Sequence, residues 1–268
     1  MSAPFLAAID WSRPWLNHVR EIGELIANAP DWRQELNRRA GEMALRNHRN
    51  LPIQFVSQSD LPPDTAYETF ISNTGCVPTR DNLHDFFNAL VWLTFPRIKV
   101  QLNALQAQEI ERAAAQSTIA PRGKLRDAAT IFDENATLLV TSNQELVKAL
   151  RAHEWEEVFI IRRDDFIQDC RIFLFGHALM EKLVTPYKAI TGHAWVVSFG
   201  VDFASLALSQ QLSGVDAAVA QQMAGGLSAT DFSPLPVLGV PTWWAGQEDG
   251  FYQDKSVFRL KRKPSEDL

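Results

Sequence analysis

The 268-residue chain is poor in cysteine and has no long apolar run. Its two cysteines, Cys76 and Cys170, lie far apart and match no zinc-ligand spacing, which argues against a disulfide framework and a zinc finger. No apolar stretch approaches the roughly 18 residues that a membrane span needs. The short apolar run at residues 3–9 lacks the basic segment of a signal peptide. We therefore expect a cytoplasmic protein with reduced thiols and no membrane partner.

Excess positive charge is also missing. The net charge of -6 and the pI of about 5.5 argue against general nucleic-acid binding, which usually needs a basic face. The stretch from residue 80 to residue 126 departs from this balance, with seven basic residues against four acidic ones. Four of the basic residues are candidates for an anion site: Arg97, Lys99, Arg122 and Arg126. If they converge, they form a pocket for phosphate or carboxylate; if they diverge, they are a solvated face.

Helical and strand patterns are interleaved without a regular βαβ rhythm, and no strand leads into a glycine-rich phosphate loop. The pattern predicts an α+β fold: a helix-rich single domain, residues 1–260, with a small mixed or antiparallel sheet. Its N-terminal region, residues 1–50, is expected to be helical. From residue 225 the proline and glycine content favours an extended C-terminal arm, residues 225–260, whose aromatic residues pack on the body. Residues 261–268 are expected to form a mobile tail.

Individual elements follow from helical spacing and from short apolar runs. Helices are predicted at residues 64–73, 81–95, 100–115, 142–153, 177–184, 202–212 and 215–223. Strands are predicted at residues 53–56, 156–161, 170–175 and 194–199. A β-hairpin is predicted from residues 128–132 and 137–141, with its turn at residues 133–136.

The helix at residues 83–95 carries polar groups in an apolar setting. Apolar residues occur on both of its faces, which predicts that the helix is buried. His84 and Asn88, one turn apart, are therefore candidates for buried polar groups that must be bonded or face a pocket. A structural network that ties the helix start to a neighbouring loop is an equally open interpretation.

A second candidate follows the apolar strand that ends at Gly176. His177 and Glu181 are four residues apart, so both side chains project from one face of the predicted helix. This spacing suits two ligands of one metal or an acid–base pair. It also suits an ordinary contact on a helix surface.

The third group of candidates flanks the first strand of the predicted hairpin. Asp127 and Asp133 are candidates for a metal ligand or a general base, and Asp127 equally suits an ion pair with its neighbour Arg126. Glu134 is expected to be a turn former. No Gly-x-Ser-x-Gly elbow is present to support hydrolysis by a serine nucleophile.

Several of these segments resemble one protein family. They are residues 79–88 (TRDNLHDFFN), 92–99 (WLTFPRIK), 122–123 (RG) with 126–134 (RDAATIFDE), 176–182 (GHALMEK) and 235–252. Over about residues 55–259 the chain resembles DUF3025, an uncharacterised bacterial family. The resemblance implies a bacterial source and a single-domain protein, and it assigns no activity.

The candidate residues together favour a hydrolase-like enzyme that acts on a small anionic substrate. The candidates are His84, Asp127, His177 and Glu181 as catalytic residues, Asn88, Arg97, Lys99 and Arg126 as substrate-binding residues, and His84, Asp133 and His177 as metal ligands. The residues leave open whether a divalent metal takes part. The alternative is a non-catalytic binding or scaffold protein, which an exposed Trp243–Trp244 patch would favour. A homo-oligomer formed through the arm is compatible with either.

Overall fold

A computed structural model of the protein describes residues 3–115, 123–248 and 250–261. Its α-helices are α1 (Arg20–Ala27), α2 (Trp32–Glu42), α3 (Tyr67–Thr74), α4 (Leu83–Thr94), α5 (Pro96–Ala115), α6 (Lys124–Asn135), α7 (Gln144–Ala152), α8 (Arg163–Asp169), α9 (His177–Lys182) and α10 (Leu208–Met223). Its strands are β1 (Gln54–Ser57), β2 (Cys76–Thr79), β3 (Ala136–Val140), β4 (Arg171–Leu174), β5 (Thr191–Val197) and β6 (Ser233–Pro236). The prediction of a helix-rich α+β domain is confirmed.

The larger sheet has four strands in the order β4-β3-β5-β6. β3 pairs in parallel with β5 and antiparallel with β4, while β5 pairs antiparallel with β6. In this register Leu138 of β3 lies opposite Phe173 of β4 and Trp195 of β5. All five residues of β3 are buried, as expected of a central strand that reads as a continuous apolar run. β1 and β2 form a separate parallel pair, so the predicted small mixed sheet is present.

α4 lies in the core and carries two of the candidate side chains. The side chain of Asn82 caps the helix by accepting a hydrogen bond from a backbone N–H of the first turn. Phe86 and Leu90 are fully buried, which confirms the prediction that this helix is buried. Asn88 is buried with them, and His84 is half-buried one turn earlier. Both polar groups therefore need partners within the protein.

The predicted hairpin is wrong in its first half. Residues 124–135 form α6, and only the segment after them is a strand, β3. Ala128, Ala129 and Phe132 are buried on one side of the helix, which is helical spacing, and the two alanines favour a helix. The β-branched pair at residues 130–131 suggested a strand, but burial on a helical period prevails. The correction moves the acidic pair at residues 133–134 from a turn into the last turn of α6.

Two further element predictions need correction. Residues 156–161 are not a strand, because Glu157–Ile161 is a π-helical turn that buries Val158 and Phe159 and exposes the two isoleucines after them. Two consecutive buried residues followed by two consecutive exposed residues are typical of a helix, whereas a strand alternates buried and exposed residues. The helices predicted at residues 202–212 and 215–223 are instead a 3-10 turn, Val201–Ser205, and one helix, α10, which runs through Gly214.

The C-terminal arm, residues 225–260, lies on the body of the protein. Its strand β6 extends the sheet beside β5, and its Tyr252 and Phe258 pack around Phe159. The arm therefore buries Tyr252 and Phe258, while Trp243, Trp244 and Phe251 are half-buried. Residues 262–268 of the predicted tail lie outside the described residues. Among the helices of the described ranges, none combines the length and the apolar character that crossing a membrane requires.

Candidate functional site

Gly176 allows a close approach between the start of α9 and the end of α6. The backbone N–H groups of Phe175 and Gly176 both donate to the carbonyl oxygen of Ala136, at 3.0 and 2.8 Å. A Cβ atom on Gly176 would lie 2.5 Å from Cα of Asn135, so only glycine fits there without a shift of the backbone. His177 follows directly and is thereby placed beside the last turn of α6.

His84 of α4, His177 of α9 and Glu134 of α6 form one cluster. The Nε2 atoms of His84 and His177 are 3.0 Å apart, and their rings are nearly perpendicular, at 83°. Oε2 of Glu134 lies 3.6 Å from Nε2 of His177. One ligand atom from each of the three residues lies within 4.8 Å of the others. The His177 side chain is 4% exposed, against 28% for His84 and 32% for Glu134, so the cluster opens toward solvent on one side.

The hydrogen bonds around the two imidazoles restrict where their protons lie. Oε2 of Glu181 lies 2.9 Å from Nδ1 of His84. A carboxylate only accepts, so Nδ1 of His84 carries the proton, and Nε2 of the neutral ring is a lone pair. If His177 donates to that lone pair, its own Nδ1 is a bare acceptor, buried without a hydrogen-bond partner among the described residues and 3.9 Å from Oδ2 of Asp133. If Nδ1 of His177 carries the proton instead, two lone pairs meet at 3.0 Å. A cation shared by the two Nε2 atoms, either a metal ion or a proton, removes the clash of lone pairs, and Nδ1 of His177 then carries a proton that faces Oδ2 of Asp133 at 3.9 Å.

The spacing of these atoms suits a divalent transition metal. Two imidazole nitrogens about 2.0–2.1 Å from one ion lie roughly 2.9–3.4 Å apart when they subtend 90–109°. The observed separation of 3.0 Å is within that range. Two imidazoles and one carboxylate are a donor set of zinc and of non-haem iron, and they leave coordination positions open. The carboxylates of Glu181 and Asp133 face the outer nitrogens of the two rings, as carboxylates commonly do at such centres.

A buried ion pair lies next to the cluster. Nζ of Lys99 donates to Oδ1 of Asp133 at 2.6 Å and to Oδ1 of Asn88 at 2.9 Å, and it lies 5.4 Å from the ring centroid of Trp92. Burial opposes the ionisation of Asp133, but the Lys99 ammonium together with His177 and His84 outweighs it and lowers the pKa of the carboxyl group. The charge of Lys99 is therefore compensated within the protein, and Lys99 is not available to a substrate anion.

Burial controls the ionisation of the cluster. It lowers the pKa of His177 to about 4, so this ring is neutral near pH 7, as a metal ligand must be. It also raises the pKa of Glu134, because the carboxylate loses water on burial.

A cavity of about 350 Å³ adjoins the cluster. α6 supplies one wall through four residues at helical spacing: Arg126, Thr130, Asp133 and Glu134. α3 and α5 supply the facing residues: Tyr67, Glu68, Gln106 and Ile110. Glu134 belongs both to this wall and to the histidine cluster, so an ion held by Glu134 borders the cavity. Larger grooves of about 930 and 720 Å³ are lined by neither His84 nor His177.

The structure brings most of the predicted site residues together. Those in the cluster, the ion pair or the cavity wall are His84, Asn88, Lys99, Arg126, Asp133, His177 and Glu181. Arg97 is exposed and lines the groove of about 720 Å³, because residues two apart on a helix, such as Arg97 and Lys99, point in nearly opposite directions. Asp127 is exposed on α6, about 9 Å along the helix axis from Asp133. Arg122 lies outside the described residues.

Glu134 and Tyr67 were not predicted as site residues. The hairpin prediction placed Glu134 in a turn, whereas the spacing of residues 126, 130 and 134 would have shown a shared helix face. Glu134 is the carboxylate that approaches Nε2 of His177, while Asp133, the predicted ligand, is bonded to Lys99. Tyr67 lies 21 residues before its partner in α4, and no local pattern connects the two.

Comparison with known proteins identifies a family. Neither the curated proteins nor the solved structures gave a match to the chain. A family model described as "Protein of unknown function (DUF3025)" matches residues 53–262. This range includes both sheets, the helices from α3 onward and every residue of the cluster and the cavity wall. The match covers well over half of the sequence, and the chain therefore belongs to the DUF3025 family.

Proposed function

We propose that this protein is a metal-dependent hydrolase that acts on a small anionic substrate. The observation that supports this best is the cluster of His84, His177 and Glu134, whose ligand atoms lie within 4.8 Å of one another. Such a donor set binds a divalent first-row metal and leaves coordination positions for a substrate. The ion would supply Lewis-acid chemistry that polarises a carbonyl or phosphoryl group toward hydrolysis.

The protein's own residues hold and orient the ligands. Glu181 accepts a hydrogen bond from Nδ1 of His84, which fixes the ring with Nε2 toward the ion. Asp133 lies 3.9 Å from Nδ1 of His177 and is itself held by Lys99. Each imidazole therefore has a carboxylate on the side away from the ion, and the hydrogen bond from His84 to Glu181 makes Nε2 of His84 a better ligand.

The position of Arg126 is the evidence for an anionic substrate. It lines the cavity, and its Nε is buried without a hydrogen-bond partner in the part of the chain that the structure describes. An ion in the cluster and the Arg126 guanidinium would present two positive groups to the same cavity. A substrate that carries a carboxylate or a phosphate matches both.

One other function is supported by a specific distance. A proton shared between the two Nε2 atoms, 3.0 Å apart, would also satisfy both rings, and His84 and His177 would then be a metal-free acid–base pair. The scaffold alternative has less support, because Trp243 and Trp244 are half-buried against the core rather than exposed. A cytoplasmic location remains an expectation, consistent with the unpaired Cys76 and Cys170.

The proposal is tested by titrating protein stripped with EDTA with Zn²⁺, Mn²⁺ and Co²⁺ in a calorimeter. We expect one equivalent of metal to bind to the wild type and binding to be lost in His177→Ala. Glu134→Gln should weaken binding by at least about tenfold. Matched controls are His48→Gln and Glu145→Gln, an imidazole and a carboxylate outside the cluster, which should bind metal like the wild type.

Hydrolysis is then screened on phosphate and carboxylate esters with metal-loaded wild type and His177→Ala. Activity that requires both the metal and His177 supports the proposal. Metal binding that persists in His177→Ala contradicts the site. If the wild type binds no metal, the acid–base pair becomes the better explanation, and stoichiometric metal binding without hydrolysis of any ester favours a binding protein.

A further inference from the structure

We propose that the cavity beside α6 is an oxyanion-binding subsite, in which Arg126 and the hydroxyl of Tyr67 hold the carboxylate or phosphate group of the substrate. This deepens the proposed function and rests on it for the reaction. The two donors of the subsite are distinct from the three metal ligands, so each can be tested without the other.

The hydrogen bonds around Tyr67 fix its hydroxyl oxygen as an acceptor. Lys99 is an ammonium and only donates, so Oδ1 of Asn88 accepts its hydrogen bond at 2.9 Å. The amide orientation is thereby fixed, and Nδ2 of Asn88 donates to the Tyr67 hydroxyl oxygen at 3.1 Å. That oxygen already accepts a hydrogen bond, and no described residue accepts one from its O–H. Tyr67 lines the cavity, so we infer that a ligand in the cavity accepts this proton.

Tyr67 also stays protonated under ordinary conditions. Burial, together with the charge of the neighbouring Glu68, raises the pKa of Tyr67 well above its usual value. A neutral phenol that already accepts one hydrogen bond is a good donor to an oxyanion, because hydrogen bonds in a chain strengthen one another. A chain of two hydrogen bonds, from Lys99 to Asn88 and from Asn88 to Tyr67, therefore connects the buried ammonium to a residue of the cavity wall.

Arg126 supplies the charge of the subsite. It lies about two turns before Glu134 on the same face of α6, and both residues line the cavity. Its Nε is buried and has no hydrogen-bond partner within the described ranges. A buried donor without a partner costs free energy, whereas an oxyanion would satisfy the guanidinium with charge-assisted hydrogen bonds.

Three carboxylates also line the cavity, and each has a compensating neighbour or a reduced charge. Asp133 is bonded to Lys99 at 2.6 Å. Glu134 belongs to the metal cluster and is compensated when an ion is bound. Oε2 of Glu68 accepts from Nδ2 of Asn103 at 2.7 Å, and burial raises the pKa of Glu68, which lessens its repulsion of an anion. With Lys99 counted beside Asp133, a divalent ion in the cluster brings the net charge around the cavity to +1.

The size of the cavity limits the substrate. About 350 Å³ is at the lower end of the volumes that ligand pockets have, roughly 300–1,000 Å³. The substrate is therefore a small ester or amide with one anionic group, rather than a polymer. The anionic group would lie between Tyr67 and Arg126, and the group to be hydrolysed would lie toward Glu134 and the ion.

The experiment is calorimetric titration of the protein with propionate and with methyl phosphate, in metal-free and in Co²⁺-loaded form. Arg126→Gln should weaken anion binding by roughly tenfold or more, because a charge-assisted hydrogen bond is lost. Tyr67→Phe should weaken it by about three- to tenfold. The matched controls are Arg112→Gln, whose guanidinium pairs with Glu109, and Tyr187→Phe at an exposed position, and both should bind like the wild type.

The two probes distinguish the sources of the oxyanion, because preference for propionate identifies a carboxylate substrate and preference for methyl phosphate a phosphate ester. Co²⁺ binding is measured on each variant and should be unchanged, which shows that the variants are folded. If Arg126→Gln does not fold, Arg126→Lys replaces it and should still weaken binding.

Wild-type protein that binds neither probe, or variants that bind both probes like the wild type, would overturn the subsite while leaving the metal centre intact. Anion binding that depends on Arg126 in a protein that binds no metal would support the subsite and refute the metal-dependent function.

Discussion

Replacing the buried Lys99 with methionine gives the sharpest prediction about stability. The change keeps an apolar stem of similar length but removes the ammonium that bonds Asp133 at 2.6 Å and Asn88 at 2.9 Å. The paired side chains are only 5% and 13% exposed. Removing one member of a buried ion pair leaves the other charge uncompensated, and this typically costs about 3–5 kcal/mol. We therefore expect the free energy of unfolding of Lys99→Met to be about 3–5 kcal/mol lower than that of the wild type at pH 7.5.

The loss should depend on pH through Asp133. In the wild type the pKa of Asp133 is lowered, so the pair stabilises the fold above the ordinary aspartate pKa and the contribution is lost as the pH falls through the lowered value. In Lys99→Met the burial of Asp133 is no longer opposed by the ammonium, so its pKa rises and mild acid neutralises it. The difference in stability between wild type and variant should therefore be largest near pH 7.5 and shrink toward pH 4.5.

Urea denaturation followed by circular dichroism at the two pH values measures this difference. The double variant Lys99→Met/Asp133→Asn removes both charges and should be more stable than Lys99→Met at pH 7.5. Arg20→Met, which breaks an exposed pair with Glu24, is the control and should change stability far less. A loss below about 1 kcal/mol for Lys99→Met, or a double variant less stable than the single one, would refute the reasoning.

Two further predictions concern backbone fit and pH. Gly176→Ala should lower the free energy of unfolding by about 1–3 kcal/mol and weaken metal binding, because its Cβ meets the Asn135 backbone at 2.5 Å. In thermal melts the control Gly41→Ala, whose Cβ meets nothing within 4 Å, should instead stabilise by about 0.5–1 kcal/mol, and equal effects would contradict the close approach. Burial raises the pKa of Asp216, which accepts two backbone hydrogen bonds at the start of α5, to about 6. The folded pKa lies above the ordinary aspartate value, so Asp216 should contribute stability that is gained as the pH falls from about 7 to 4. In urea denaturation Asp216→Asn should lack this contribution.

Periodicity in the sequence was enough to predict the buried helix and its polar residues. α4 is apolar nearly all round, so His84 and Asn88 had to find partners inside the protein, and both do. The glycine after an apolar strand likewise predicted the start of α9 at His177. The burial of α4 and the start of α9 depend on residues that are close in the sequence, so a pattern within one segment is enough to predict them.

The composition of the site depends on contacts between distant residues, which local patterns do not show. His84 and Glu181 are 97 positions apart, and His84 and His177 are 93 apart. The error at α6 had a local cause: a β-branched pair before an acidic pair reads as the end of a strand and a turn. In the helix the two carboxylates point in different directions. Asp133, the predicted ligand, bonds Lys99, whereas Glu134, the predicted turn residue, approaches His177.

Anomalous diffraction from crystals soaked in Zn²⁺ or Co²⁺ tests the central claim most directly. The account predicts one strong peak about 2.0–2.2 Å from Nε2 of His84, from Nε2 of His177 and from a carboxylate oxygen of Glu134. The peak should disappear in crystals of His177→Ala. No peak at this position, or a peak coordinated by other residues while the two Nε2 atoms remain 3.0 Å apart, would contradict the metal centre.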